Sequence, residues 1–484
     1  MSIITEFDKI LQLPDIKLSD EVQKVSVTEN PDLSYLTKDQ IKIFDEVINM
    51  VNSAGSSFYL IKGYAGTGKT FLTTIITEYI LHNSFNRVAL TAPTNKAVKV
   101  LRRYSKFDDT KIDKISFNTI HSLLGLKETI VGNKQVFKRL RADDVKITKF
   151  QVVIIDEVSM LDDFLFEDVY NFMKEKDLKV ILVGDGAQIP PVNKDNCIPF
   201  TDKGIDKYKI TVGELTKVLR QAQDNPIIKS TIEIRNRIFD HIVFPLRLND
   251  YDVNTADGIY HISYNEWSDI YNLMNIYFNS ENFKKNPDFI KVLAWTNSVV
   301  DEVNNTIREM IYGENIPMIC KGEKLIADKP IIDEYDDKVI LYTTNDEFEV
   351  LDYEIKEKKI GRDLVKYYHT KTINGSKIKD IKICHEESLG LFKSILDDIA
   401  KDANSYQRGS SNYINLWKKF YQTKTIFAEI KYNYAITCHK AQGSSYDNAI
   451  ILENDIDKNR NIIERNRIKY TACTRPRHKL FIVK

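Results

Sequence analysis

The sequence predicts an α/β protein of two doubly wound units, and three observations carry that reading. From Phe58 to Gly184 short apolar runs alternate with helical patterns. A second alternating series opens at Phe289 and resumes near Asn448. Between Pro317 and about Ala428 the alternation gives way to short strand-like segments of period two. Short apolar runs separated by amphipathic helices mark buried parallel strands joined by crossovers.

In chain order, FYLIK precedes the helical TFLTTIITEYILH, RVALT precedes NKAVKVLRRY, QVVII precedes DDFLFEDVYNFMKE, and KVILVG closes the first series. In the second, FIKVLAW is followed by NSVVDEVNNTIREMI, then NAIILE, the amphipathic NIIERNRIKYTACTR and a final KLFIV. The segment between contributes KVILYT and FEVLDYEI as short strands and a helix around NYINLWKKFY. KETIVGNKQVFKRL holds two strand-like runs about Gly132-Asn133, a hairpin turn pair. The expected division is an extension over 1–33, a first unit over 34–211 with a hairpin at about 123–148, a second unit over 212–316 and 429–484, and an insertion over 317–428.

A chain of 484 residues, 43% hydrophobic and 29% charged, has ample core for several domains and is neither disordered nor a membrane bundle. Lys+Arg and Asp+Glu both number 69, which excludes a uniformly basic DNA-coating protein. The average hides segregation: Lys96 to Lys149 holds fourteen basic residues against six acidic, and Asp333 to Glu354 nine carboxylates against one lysine. The five cysteines are far apart and offer no CxxC pair, so they read as reduced thiols. With no signal peptide and no long apolar run, the expectation is a cytoplasmic protein without a membrane partner.

Gly63-Tyr64-Ala65-Gly66-Thr67-Gly68-Lys69-Thr70 fits GxxxxGK[ST] between an apolar strand and an amphipathic helix. Its glycines let backbone N–H groups wrap phosphates, Lys69 neutralises β/γ oxygens, and the Thr70 hydroxyl can ligate Mg²⁺. Asp156-Glu157 follows QVVII, at a strand C-terminus where ligands gather in open α/β sheets. There Asp156 would hold Mg²⁺ and Glu157 would polarise the attacking water. Gly184-Asp185-Gly186-Ala187-Gln188, again past a strand, sets the Gln188 amide where a γ-phosphate or its water can be sensed.

GYAGTGKT, DEVSM and GDGAQIPPV in this order resemble motifs I, II and III of superfamily 1 helicases. The remaining motifs can be matched in order: LTKDQ resembles the Q motif, APTNKAV motif Ia, NTIHSLL motif Ib, ELTKVLRQ motif IV, ITCHKAQGSSYD motif V and YTACTRPR motif VI. The matches run from Leu36 to Arg477, most similar to the Dda-like members of subfamily 1B, with Pif1 and RecD-type enzymes next. The resemblance implies two RecA-like P-loop motor domains, 1A and 2A, with a short β-hairpin insertion (1B, the pin) and a β-rich SH3-like insertion (2B).

It also implies site residues. Gln40 would read the adenine; Gly63, Ala65, Gly66, Thr67, Gly68, Lys69 and Thr70 would hold ATP with Mg²⁺, joined by Asp156, Gln188 and Gly443. Arg220 and Arg475, on different domains, would reach the γ-phosphate when the cleft closes, coupling hydrolysis to motion; Arg477 is left as a surface charge. Pro93, Thr94, Asn95, Thr119, His121 and Ser122, with Asn297, Thr437 and His439 of the second domain, would contact single-stranded DNA through its backbone. Trp295 is either a base-stacking platform or a core residue, and Phe137 either a wedge against the fork or the inward aromatic of a surface hairpin.

The implied activity is ATP-dependent unwinding of tailed or forked duplex by 5′ to 3′ movement, by a monomer, with replication or recombination proteins as further partners. Two other classes remain open on the residues alone: a nucleic-acid-stimulated NTPase acting as a loader or switch, and a P-loop kinase, which would have no use for Arg475.

Overall fold

The computed structural model describes residues 33, 35–84, 86–105, 113–131, 134–139, 145–191, 194–217, 225–240, 242, 246, 250–251, 257–263, 267–333 and 339–484. The expected extension up to residue 32, the turn at 132–133 and Arg220 lie outside the described residues.

Helix α1 (Lys38–Asn52) opens with a reciprocal cap: the Thr37 hydroxyl accepts from the Gln40 amide, and the Gln40 side chain accepts from Thr37 N–H. There follow β1 (Ser57–Gly63), α2 (Lys69–Asn83), β2 (Val88–Ala92), α3 (Asn95–Tyr104), β3 (Ile115–Thr119), the short α4 (Ile120–Leu123), a hairpin of β4 (Leu126–Val131) and β5 (Lys134–Arg139), β6 (Val152–Ile155), α5 (Asp163–Lys176), β7 (Lys179–Gly184), α6 (Asp202–Tyr208) and β8 (Ile210–Leu215). Six strands make a parallel sheet of order β3-β2-β6-β7-β1-β8. Its inner strands β2, β6 and β7 are buried at every residue, which is why their sequences are unbroken apolar runs. One core, around Leu60, Val153, Phe166 and Leu182, lies on one side of the sheet, and another, around Ile61, Ile75, Leu90 and Ile181, on the other.

Two strands of this sheet escaped the sequence pattern. ISFNT (β3) is only partly buried throughout and ITVGEL (β8) exposes several residues, so neither edge strand needed an apolar run. β8 corrects a boundary too: it pairs with β1 from Phe58↔Ile210 to Gly63↔Leu215, so the first unit extends past 211 to include Leu215.

The second unit begins with α7 (Pro226–Asn236), β9 (Asp250–Tyr251), β10 (Gly258–Ile262), α8 (Trp267–Phe278), α9 (Glu281–Lys285), β11 (Ile290–Ala294) and α10 (Asn297–Tyr312). The chain then leaves it for β12 (Lys324–Ala327), β13 (Ile331–Ile332), β14 (Ile340–Tyr342), β15 (Glu347–Ile360), β16 (Asp363–Asn374), β17 (Lys377–Cys384), α11 (Leu389–Asn404), α12 (Ser411–Lys424) and β18 (Ile430–Tyr432). It returns with β19 (Ala435–Thr437), β20 (Tyr446–Leu452), α13 (Glu453–Ile456), α14 (Ile462–Cys473) and β21 (Pro476–Val483). The second sheet, β19-β11-β20-β21-β10-β9, is parallel except for β9.

The insertion is an antiparallel sheet, β17-β16-β15-β12-β18, with a helical pair. Its strands are not all short: β15 and β16 form a long hairpin, paired from Glu349↔Ile373 to Ile360↔Asp363. Because β18 pairs with β12, the insertion reaches Tyr432 and not 428. All five cysteines are free thiols. Among the described residues no helix is long and apolar enough to cross a membrane.

Candidate functional site

The C-terminal ends of the two parallel sheets sort the candidate residues by position. In the first sheet, β1, β6 and β7 in the middle carry the phosphate loop, Asp156-Glu157 and the Gln188 turn, whereas β2 and β3 at one edge carry Thr94, Asn95, Thr119 and His121. In the second, β19 at the edge and its neighbour β11 lead into His439 and Asn297.

The phosphate loop is built by backbone geometry that only glycine accepts without cost. Gly66 and Gly68 both stand at φ 78°. At Gly63 a methyl group would come within 2.8 Å of Thr67 Oγ1 and 3.0 Å of Leu215 Cβ, so β8 closes the loop from the side. Lys69 Nζ donates to the Gly63 and Tyr64 carbonyls at 2.7 and 3.1 Å. Gln40, expected against adenine, is buried against the loop: its Nε2 donates to the Thr67 carbonyl at 3.2 Å and its Oε1 accepts from Thr37. Gln40 thus braces the loop in this structure. Ala65 and Thr70 are partly buried along it.

Asp156 and Glu157 follow β6, and Glu157 is turned by a left-handed backbone, φ 52°, whose N–H donates back to Asp156 Oδ1 at 2.8 Å. Burial, and then the neighbouring Glu157 carboxylate, push the Asp156 carboxyl above the usual carboxylate range, against weaker downward pulls from the Glu157 N–H and Lys69. Glu157 Oε2 and Gln188 Oε1 are buried and have no protein hydrogen-bond partner. Hard oxygen donors without protein partners, beside a loop of backbone amides, fit a hydrated divalent cation carrying a polyphosphate.

The second unit closes over this edge. Ala187 and Ile189 of the Gln188 turn join its apolar core, Gln442 Nε2 donates to the Ile189 carbonyl at 2.8 Å, and Ile189 N–H donates to Thr471 Oγ1 at 3.3 Å. Gly443, at φ 68°, lies so close that a methyl group there would stand 3.1 Å from Ala97 Cβ and 3.6 Å from Glu157 Cγ.

Arg475 is engaged within its own unit in this structure. Its buried guanidinium is held within its own unit by the carbonyls of Thr471 at 2.9 Å and Ser444 at 3.1 Å and by Thr474 Oγ1 at 2.7 Å, because a buried cation takes the nearest acceptors. Arg477 lies exposed beside Asp447 at 3.6 Å, a surface charge.

On the other edge, three of the expected DNA contacts are caps. The hydroxyls of Thr94, Thr119 and Thr437 accept from the N–H groups of Ala97, Ser122 and Lys440. Each hydroxyl still has its own O–H to donate. Pro93 is partly buried just before the first of them. Asn95 Nδ2 donates to Thr343 Oγ1 of the insertion at 2.5 Å, and Ser122 Oγ accepts from Lys146 Nζ at 3.1 Å. Burial holds the His121 and His439 imidazoles below their usual pKa. The His121 ring stacks on Phe137, centroids 4.1 Å apart, tying hairpin to motif Ib, while Phe137 stays 47% exposed. Asn297 is exposed. Trp295 packs against the second-unit core, which favours the second of its two readings.

Four residues were missed as site residues by sequence reasoning. Asp185 and Tyr470 sit inside recognised motifs yet were given no role; Tyr470 Oη donates to the fully buried Asp185 at 2.5 Å. Arg235 and Lys96 bridge units: Lys96 lies within the motif Ia segment and Arg235 in no recognised motif, and the partners of both are far along the chain.

A family model for an AAA domain matches residues 36–240, and one for a UvrD-like helicase C-terminal domain matches 432–483. The chain is 28% identical to the uncharacterized protein R530 of Acanthamoeba polyphaga mimivirus, over 92% of this chain and 98% of that one. It is 27% identical to the ATP-dependent DNA helicase dda of Enterobacteria phage T4, over 93% and 99%. Among solved structures it is similar to the Pif1 helicase from Candida albicans, with a TM-score of 0.46 and 15% identity over 93% of this chain and 94% of that one.

Proposed function

We propose that this chain belongs with the superfamily 1B DNA helicases it resembles and is an ATP-dependent motor that moves 5′ to 3′ along single-stranded DNA and parts the duplex ahead of it. The observation that carries the reading is the nucleotide edge: a phosphate loop facing Asp156 and the unpartnered oxygens of Glu157 and Gln188, with Gly443 of the second unit against Glu157.

Thr70 and Asp156 would hold Mg²⁺, and the loop from Gly63 to Thr70 would hold the ATP phosphates. The metal supplies charge neutralisation at the phosphate oxygens. Lys69 exchanges its two loop carbonyls for phosphate oxygens, Glu157 takes the proton of the attacking water, and Gln188 orients that water. Arg220 and Arg475 are the cations that stabilise the transferring phosphoryl group, Arg475 by turning from Ser444 and Thr471 as the cleft tightens. Because the Gln188 turn is seated in the second-unit core, a change at the γ-phosphate is felt by both units. The edge at β2, β3, β11 and β19 then alternates its grip on the DNA backbone, and Phe137 meets the fork.

Duplexes with a 5′ or a 3′ single-stranded tail test this. With Mg²⁺ and ATP the 5′-tailed duplex is separated and the 3′-tailed one is not. Phe137→Ala keeps strand-stimulated hydrolysis but unwinds more slowly. ATP turnover stimulated by single strands with no separated product overturns the helicase reading in favour of a loader or switch, and unwinding of only the 3′-tailed duplex reverses the polarity.

A further inference from the structure

Arg235 ends α7, a helix that packs on α14, β10 and β21 of the second unit, yet its side chain crosses to the first. Its guanidinium carbon lies 4.5 Å from the centroid of the Tyr64 ring, the second residue of the phosphate loop. Its Nε stands 3.5 Å from Asp185 Oδ1, and the arginine side chain is only 19% exposed. The two groups it meets are themselves fixed. Tyr64 Oη donates to the Thr216 carbonyl at 2.6 Å, which pins the ring at the end of β8. Asp185 is fully buried, accepts from Ala187 N–H at 3.0 Å and from Tyr470 Oη at 2.5 Å, and stands three residues before Gln188. Tyr470 in turn lies against the Ala65 backbone of the loop.

One cation from the second unit therefore spans the phosphate loop and the Gln188 turn. A guanidinium suits both contacts: its flat face stacks on an aromatic ring while its edge keeps N–H groups for a carboxylate. Without Arg235, Asp185 would keep only neutral hydrogen-bond donors and the charge of the neighbouring buried Arg467, an expensive arrangement for a fully buried carboxylate.

We propose that Arg235 is a positioning residue for the hydrolytic step. It locks the phosphate loop and the Gln188 turn to the second motor unit, so that their spacing is set when the two units come together. This rests on the ATPase reading given above. Arg235 acts through Tyr64 and Asp185 and not by touching the nucleotide, so its loss shows in kcat and not in KM.

The test uses the full chain as wild type, Arg235→Ala and Arg235→Lys, with ATP turnover measured in saturating single-stranded DNA and hydrogen exchange of the loop at 63–70 measured without nucleotide. For Arg235→Ala the expected result is a fall in kcat of about tenfold, the size of one partly desolvated cation–π and ion-pair contact, with KM for ATP within twofold and faster exchange in the loop. Arg235→Lys, which keeps charge and ring contact, recovers much of the loss.

A tenfold rise in KM at unchanged kcat makes Arg235 a nucleotide ligand and overturns the proposal. So does an unchanged kcat with unchanged exchange. So does a loss that follows a lowered melting temperature and is not rescued by lysine, which is a merely structural role. If wild type hydrolyses no ATP, the enzyme reading itself fails, while faster loop exchange in Arg235→Ala still upholds the tie between the units.

Discussion

Asp156 and Glu347 are both partly buried carboxylates at seams between units, and their surroundings drive them in opposite directions. At Asp156 burial and the adjacent Glu157 raise the carboxyl, and the cation that bears on it, Lys69, has its ammonium engaged by two loop carbonyls. At Glu347 burial also pushes upward, but Lys96 and then Lys291 pull the carboxyl down to about 2.

Lys96, from the first turn of α3, lies 3.1 Å from Glu347 of the insertion and 3.3 Å from Asp288 of the second unit, and 4.8 Å from the Tyr446 ring centroid. Lys291 is fully buried on β11, donates to the Asn433 carbonyl, and is pushed down to about 8 by burial and by Lys96. Burial of a carboxylate alone therefore does not mark a metal seat. A junction with its own lysines is complete, and an edge whose lysine is committed elsewhere is open to a cation.

The widest separation between the two regions comes from Lys69→Ala. Turnover should fall about 100- to 1000-fold, the usual loss when one stabilising donor leaves a phosphoryl-transfer site, while nucleotide-free DNA binding stays near wild type. Steady-state ATPase and DNA titration check this, and turnover within tenfold of wild type would move the nucleotide edge elsewhere.

At the junction the expected cost is in stability. Lys96→Met leaves Glu347 and Asp288 without their shared cation and should lower unfolding free energy by roughly 2–3 kcal/mol, the low end for a broken buried pair because both side chains keep some solvent. Denaturant melts should show that loss, with part of it recovered in Lys96→Met combined with Glu347→Gln. The pH dependence has a definite sign. The carboxyl is lower when folded than its ordinary 4.5, so its stabilisation is full above about 4.5 and is lost as pH falls towards about 2. Acid melts of Glu347→Gln should be flatter over that window, and an unchanged slope would show that the lysines do not hold this carboxylate.

The same contrast separates what was legible in the sequence from what was not. The nucleotide edge is written in short contiguous segments, since one strand-turn-helix supplies glycines, lysine and threonine together, and one buried strand ends on Asp156-Glu157. Most buried parallel strands announce themselves as apolar runs, so β1, β2, β6, β7, β11, β20 and β21 are readable, whereas the partly exposed edge strands β3 and β8 and the short β10 and β19 are not.

The junction is illegible for a different reason. Asp288 and Glu347 lie 192 and 251 residues from Lys96 in sequence, and each looks like a solvated surface charge until the fold brings them together. Arg235 and Asp185 hide in the same way. Gln40 and Arg475 show the converse: motif position singled them out, but their partners in the structure, Thr67 and Ser444, follow from packing.

The open carboxylate Asp156, and not the lysine-held Glu347, is expected to seat the divalent cation. Mn²⁺ titrated into the chain with a non-hydrolysable ATP analogue, and followed by electron paramagnetic resonance, tests it directly. One ion is expected per wild-type chain, with affinity weakened at least about tenfold in Asp156→Asn, since even an outer-shell partner of a metal is worth roughly 10- to 100-fold, and no change in Glu347→Gln. Equal affinity in wild type and Asp156→Asn, or a loss in Glu347→Gln instead, would contradict it.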